Sequence, residues 1–368
     1  SFLSANTIFS NLTGLQQATL GIYDSWRADP IFDQFYQWAL AEAGQQYVTA
    51  GMNTDSYISP FYGFFETPTD LNTTDAWPRY YQTIARCNTV IAHANEAVSD
   101  TNIANTYIAE ARFNRAYAYF MLVRDFGGVP LITTEINSIS QTNLIFATQS
   151  PVQDVYNFII QDLQFAETHL PPFWTGANLG RISAGAAKAL LGKVYLTGAG
   201  LPLQNAQYYQ LAVNELSQIV GPTNEATYNF GLLPNFSDVF SNSNRKNMEV
   251  VFAWSGSWTS SATHNANILP YFLFPNNFVG TGTQTNYGLT PAFYNLYENT
   301  DTRRDFTVIS RYINQVTGDS IIYDTTNHQW IDKTTGGGYG NSLIPYQGMA
   351  YGKFGRTPLT KGATISTY

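Results

Sequence analysis

Residues Ala109 to Leu131 read AEARFNRAYAYFMLVRDFGGVPL. Tyr107, Ile108, Ala111, Ala118, Phe120, Met121, Leu122 and Val123 fall too densely for a one-sided helix. The spacing therefore predicts a helix buried around most of its circumference. Ala109, Ala111, Ala116 and Ala118 leave room for neighbouring helices to approach. Glu110, Arg112 and Arg115 are charges inside that apolar run, and charge in a packed interior must be paired. The expectation is a structural ion pair rather than an acid and a base facing solvent. Gly127-Gly128 supplies a left-handed stop and Pro130 blocks continuation.

Helical patterns recur on both sides of this stretch. Residues 7–27 and 31–43 read as helices, the first with Leu12, Leu15, Ala18, Leu20, Ile22 and Tyr23 apolar. Residues 75–98 follow, capped by Asp75 with Pro78 in the first turn. A short link at 99–102 then makes a hairpin with the opening helix. Pro151 starts a helix that ends before Pro171-Pro172. Ser183 starts the next, 184–197, closed by Gly198 and Gly200, and one more covers 205–220. Hairpins of amphipathic helices at such intervals fit a tetratricopeptide-like scaffold, although no clean repeat of roughly 34 residues is visible. The fold class expected is mainly α.

Two long stretches interrupt the helices. Residues 51–76 and 254–290 lack a sustained period and are rich in aromatic and amide side chains. Loops of that length in a compact protein are functional or disordered, and the aromatics argue against disorder. Met248 to Trp254 reads as a strand or extended segment, and Thr290 to Tyr297 as a short helix. Arg311 to Ile322 reads as a strand pair around Thr317-Gly318, and Gly336 to Gly340 as a flexible turn.

Composition narrows the ligand. Charged residues make up 12% of the 368 residues, about half of the roughly 25% usual in globular proteins. Aromatics make up 15%, so the surface must be covered by Asn, Thr, Ser, Gln and ring edges. That suits neutral hydrogen-bonding ligands such as sugars, and equally suits a large core under a neutral surface. The net charge of −8 disfavours nucleic acid and anionic membrane. The single Cys87 leaves no intramolecular disulfide or Cys-based zinc site. It sits among Ile84, Val90 and Ile91 and reads as a buried apolar residue. His93, His169, His264 and His328 lack ligand spacing, so no metal or cofactor is expected. No nucleophile elbow or phosphate loop is present, so no catalytic residue is expected either.

The stretch 109–131 resembles the signature of the SusD/RagB family, surface lipoproteins of Bacteroidetes outer-membrane nutrient importers. The match lies in Glu110, Arg115-Ala116, Tyr119-Phe120 and the exit Phe126-Gly-Gly-Val-Pro-Leu131. Trp77…Tyr81…Ile84…Asn88, Val155 to Pro171, Arg181 to Leu196, Asn247 to Phe252, and Tyr297…Asp301-Thr-Arg-Arg304 agree with further landmarks in the family's order. The resemblance implies one SusD-like domain over 1–368, with helical scaffold at about 1–50 and 75–220 and ligand-facing loops at about 51–76 and 254–290. It implies capture of an oligosaccharide, or alternatively a peptide, and delivery to a SusC-like TonB-dependent transporter. It also implies attachment to the outer membrane by an N-terminal lipid anchor. The lipidated Cys and a C-terminal helical segment of the family do not occur in these residues and are expected to lie beyond them. A helical-repeat adaptor without a small ligand is the alternative from another class.

Sugar rings stack their C–H faces on aromatic rings, and their hydroxyls need polar partners. The ligand-binding residues expected are therefore Asn53, Tyr57, Tyr62, Trp77, Trp254, Trp258, Asn265, Tyr271 and Tyr287. Trp258 and Tyr57 stand out for their polar neighbours. Trp77 belongs to a helix motif and is expected in the core.

Overall fold

The computed structural model describes residues 5–26, 48–50, 67–241, 244, 246–253, 287–289, 291–314, 316–324, 329–333, 338–339 and 350–351. The chain forms two compact units. The first comprises Ser1–Ala28, Ala76–Leu232 and Met248–Ser255; the second comprises Asp29–Asp75, Leu233–Asn247 and Gly256–Tyr368.

The first unit is helical. Its main elements are α1 (Leu12–Ser25), α2 (Leu71–Ala97, whose first residues belong to the second unit), α3 (Thr101–Phe126), α4 (Val152–His169), α5 (Ala184–Ala199), α6 (Gln207–Leu216) and α7 (Pro222–Tyr228). Helices α3, α4, α5 and α6 pack in chain order, as tetratricopeptide-like hairpins do. The opening stretch is their centre: from Tyr107 to Val123 nearly every residue of α3 is buried. Leu15 and Ile22 of α1, Cys87, Val90 and Ala94 of α2, and Ala104, Ile108 and Ala111 of α3 form one apolar cluster. Full burial pushes the Cys87 thiol well above its usual range. Small residues let α5 approach its neighbours. A Cβ on Gly192 would sit 2.5 Å from the Leu216 side chain, and one on Gly198 2.8 Å from that of Tyr208.

Caps fix the helix boundaries. The Asp100 carboxylate accepts the Asn102 and Ile103 N–H groups at the start of α3, and Ser183 Oγ accepts that of Ala186 at the start of α5. At the end of α3, Gly127 has φ of +75°, which side chains rarely adopt. Gly128 is required for another reason: a Cβ there would lie 2.4 Å from the Ser150 carbonyl oxygen. Three expectations need correction. Helix α2 starts at Leu71, one turn before Asp75, so Pro78 lies inside the helix. Helix α5 runs through Gly198 to Ala199. Residues 246–253 form turns and bends instead of a strand. The helix expected at 31–43 lies outside the described residues.

The second unit contributes short strands: β1 (Val48–Ala50), β2 (Tyr287–Leu289), β3 (Val308–Ile309), β4 (Arg311–Ile313), β5 (Ser320–Asp324), β6 (Gln329–Asp332), β7 (Gly338–Tyr339) and β8 (Ala350–Tyr351). Strands β4 to β7 form an antiparallel meander, and β3 pairs with β8. Tyr312 pairs with Ile321, both buried, which gives the meander an apolar face. The turn expected at Thr317-Gly318 is present: Asn314 Oδ1 accepts the Val316 and Thr317 N–H groups, and Gly318 has φ of +88°. The stretch read as a flexible turn, 336–340, instead supplies β7 at Gly338–Tyr339. No helix among the described residues is long and apolar enough to cross a membrane.

Candidate functional site

The two aromatic stretches meet at their bases. Strand β1 runs into the first and β2 closes the second, and the strands pair antiparallel with Val48 opposite Leu289, Thr49 opposite Gly288 and Ala50 opposite Tyr287. Ladder hydrogen bonds are perpendicular to paired strands and fix their register. The first loop therefore departs from the point where the second returns. Of the expected ligand residues, Tyr287 lies in this ladder. Asn53, Tyr57, Tyr62, Trp254, Trp258, Asn265 and Tyr271 lie outside the described residues.

Trp77 lies on α2 and is half-buried. Its ring stands edge-on to Phe126 at 5.1 Å and tilted against Tyr81 at 5.2 Å. It borders an open groove of about 340 Å³, whose other walls are Tyr81, Pro130, Ile132, Ile136, Leu144 and Ile145. The walls are apolar, and the Tyr81 hydroxyl is spent on the Pro130 carbonyl at 2.8 Å. This groove offers a stacking ring without the hydroxyl partners a sugar needs.

The signature charges are scaffold. Arg115, 4% exposed, forks onto Asp162 with Nε to Oδ2 at 2.7 Å and Nη2 to Oδ1 at 2.9 Å. Its Nη1 donates to Asn88 Oδ1 at 2.6 Å and to the Thr133 carbonyl at 2.9 Å. Asn88 Nδ2 donates onward to the carbonyls of Ile132 and Thr134. The Tyr119 hydroxyl accepts the Ile132 N–H at 2.7 Å. The segment after Pro130 is thus pinned, backbone group by backbone group, by side chains of α2 and α3. Buried backbone groups demand such partners. Burial alone would lower the pKa of Arg115, but Asp162 outweighs it and raises the value.

Glu110, fully buried, accepts from the Tyr23 hydroxyl and from Arg181. The Arg181 guanidinium lies over the rings of Trp174 at 4.3 Å and Tyr107 at 5.0 Å. Burial pushes the Glu110 carboxyl up despite Arg181, and burial with Glu110 beside it pushes the Tyr23 phenol up. Glu110 is thus enclosed by structural partners, while Arg181 keeps 20% of its side chain exposed.

His93 continues the pinning. Its Nδ1 lies 2.9 Å from Glu96 and its Nε2 2.9 Å from Glu135, with the Phe9 ring stacked at 5.0 Å. Hydrogen bonding to Glu96, then to Glu135, raises its pKa above 6.5. A raised histidine pKa stabilises the fold fully below the unfolded value, and the contribution fades as pH rises through the folded value. His93→Gln is therefore expected to cost about 1 kcal/mol in mild acid and close to nothing in mild alkali. Urea midpoints of both proteins at the two pH values check this, and an equal loss at both would contradict it. Among the described residues no three His, Cys, Asp or Glu side chains gather as metal ligands would.

Sequence reading missed the β1–β2 ladder and the partners of Arg115 and Glu110. The matching landmarks Asn88 and Arg181 were the available signal for those partners, because Asn88 accepts from Arg115 and Arg181 donates to Glu110.

Comparison with known proteins follows the same landmarks. A family model described as "Starch-binding associating with outer membrane", of the SusD-like type, matches residues 15–196. A SusD-like protein of Bacteroides ovatus is 30% identical over 266 residues, covering 67% of this chain and 43% of its own length. SusD-like protein P2 of Formosa agariphila is 28% identical over 238 residues, covering 65% of this chain and 44% of its own. The chain thus spans less than half the length of these relatives. Surface glycan-binding protein A of Bacteroides thetaiotaomicron, solved in complex with laminarihexaose, superposes with a TM-score of 0.71 at 18% identity, over 96% of this chain and 72% of that one. The shared helical fold, the matched region and the pinned exit of α3 together place the chain in the SusD/RagB family.

Proposed function

We propose that this chain is a non-catalytic binding protein that captures a neutral oligosaccharide at the outer-membrane surface and delivers it to a SusC-like TonB-dependent transporter. The observation that carries the reading is the pairing of Ala50 with Tyr287. The paired strands border loops 51–76 and 254–290, which supports the reading that Asn53, Tyr57, Tyr62, Trp258, Asn265, Tyr271 and Tyr287 contribute to one ligand surface. Rings stack on sugar C–H faces while amides take the hydroxyls, and no bond is made or broken. The family description supports a glycan ligand, and a fold relative was solved with laminarihexaose.

Isothermal calorimetry against panels of neutral glycans and peptides tests the reading. Binding to a glycan is expected, with Trp258→Ala or Tyr57→Ala weakening it about tenfold each, the equivalent of one lost stacking contact. Peptide binding alone would move the ligand class to peptides. Binding in neither panel would remove the capture function and favour an adaptor. Saccharide turnover without added hydrolase would overturn the non-catalytic assignment. Recovery from native membranes without a large barrel protein would count against the transporter partnership.

A further inference from the structure

The second unit holds an open cleft of about 550 Å³, within the roughly 300–1,000 Å³ typical of small-ligand sites. One continuous stretch, 293–303, builds it. Successive turns fix its path: the N–H groups of Leu296, Tyr297, Asp301 and Arg304 donate to the carbonyls of Phe293, Tyr294, Glu298 and Asp301. Phe293 and Tyr297 pack edge to face at 5.5 Å, which holds the Tyr297 ring upright. Arg303 Nη2 donates to Asp301 Oδ2 at 2.6 Å and its Nε to Oδ1 at 2.9 Å, while Oδ1 also accepts the Arg303 N–H at 2.9 Å. Arg303 is 61% exposed and Asp301 19%. Among the described residues Arg303 Nη1, Glu298 and Thr300 make no side-chain hydrogen bond and face this space.

We propose that this cleft binds a neutral pyranoside ring, with Tyr297 stacked on its C–H face and its hydroxyls shared among Asp301, Arg303, Glu298 and Thr300. Asp301 and Glu298 are balanced by Arg303 at the cleft and by Arg304 beside Asp301, so no net charge favours an ionic ligand over a neutral ring. A divalent cation would have to displace the Arg303 fork from one of only two carboxylates. An apolar ligand would desolvate the ionic wall without replacing its hydrogen bonds. A hydroxyl-rich ring satisfies both walls, since charge-assisted hydrogen bonds give direction and the aromatic ring gives contact area. Arg303 lowers the Asp301 carboxyl to about 2, so it stays an acceptor at any working pH. The ligand class rests on the capture function proposed above; the position of the cleft rests on the described residues 293–303.

Saturation-transfer NMR with the methyl glycosides of glucose, galactose, mannose and xylose tests the cleft directly. At least one glycoside is expected to receive saturation from the protein. Arg303→Met and Tyr297→Ala should each weaken its binding about tenfold, the equivalent of one charge-assisted hydrogen bond or stacking contact. Arg303 is exposed enough that its replacement leaves the core intact, so it decides the matter if Tyr297→Ala unfolds. No saturation of any glycoside, or saturation that Arg303→Met leaves unchanged, overturns the proposal. Oligosaccharide binding that responds to Trp258→Ala but not to Arg303→Met keeps the capture function and removes the cleft. Glycoside binding that depends on Arg303 while the loop variants are silent keeps the cleft and removes the loop assignment.

Discussion

Replacing Arg115 with Met is expected to destabilise the chain by about 3–5 kcal/mol, because it removes one partner of a buried ion pair and strands the other. Asp162 is 1% exposed and would lose both prongs of the fork. The Thr133 carbonyl and Asn88 Oδ1 would lose the Nη1 donor at the same time. Arg112, whose Nη1 lies 3.6 Å from Asp162, can recover part of the charge pairing but none of the bonds to the segment after Pro130. Arg115→Lys should rescue little, since an ammonium cannot hold a carboxylate fork and two further acceptors in one plane. The double change Arg115→Met with Asp162→Leu should recover much of the loss, because an apolar pair carries no desolvation cost. Urea unfolding measures all three. A loss below about 1 kcal/mol for Arg115→Met would show that the pair is not the clamp described, given the usual cost of breaking buried pairs. Hydrogen exchange at the Ile132 amide, bound to Tyr119, should accelerate in Arg115→Met as the segment loosens.

Glu110→Ala is expected to have the next largest effect, about 3 kcal/mol, at the lower end for a broken buried pair. The lower end applies because Arg181 is 20% exposed and can rehydrate, whereas its partner is fully buried. Tyr23 would lose its acceptor and keep only the Ile182 N–H, which donates to it at 3.1 Å. Glu110→Gln should cost less, since the amide still accepts from Tyr23. A double-mutant cycle with Arg181→Met should give a coupling of about 2 kcal/mol, within the range for contacting residues. A coupling near zero would separate the two groups.

Local signals carried most of the scaffold. Helix α3, its glycine stop, the Ser183 cap and the Thr317-Gly318 turn all follow from residues within a few positions of each other. Helix α2 was placed a turn late because Asp75 has the chemistry of a cap, while Leu71 to Thr74 contain weak helix formers. Met248 to Trp254 was read as a strand because a short apolar run does not distinguish a strand from a buried turn. The pairing of Arg115 with Asp162 and of Glu110 with Arg181 joins helices far apart in sequence; the need for partners was legible, their identity was not. Strands of two or three residues such as β1, β2 and β7 carry no alternation, so the ladder had no periodic signal. Of the expected ligand residues, only Trp77 and Tyr287 lie within the described residues. The cleft at 293–303 was visible only as a family landmark, because turns alone bring its ring and its ion pair together.

The ladder between β1 and β2 also bears on how such a chain can diversify. Its two strands are separated in sequence by helices α2 to α7. Its closure is therefore a non-local event, expected late in folding, after the intervening helices have formed their local contacts. Doubling the length of a flexible loop between fixed ends costs only about 0.6 kcal/mol. Insertions and exchanges of aromatic residues between the ladder and the helices are then nearly free of folding consequences, so selection on ligand can act there while the clamp around α3 stays constant. A pair of strands three residues long thus serves as the mechanical ground against which binding specificity can be rewritten.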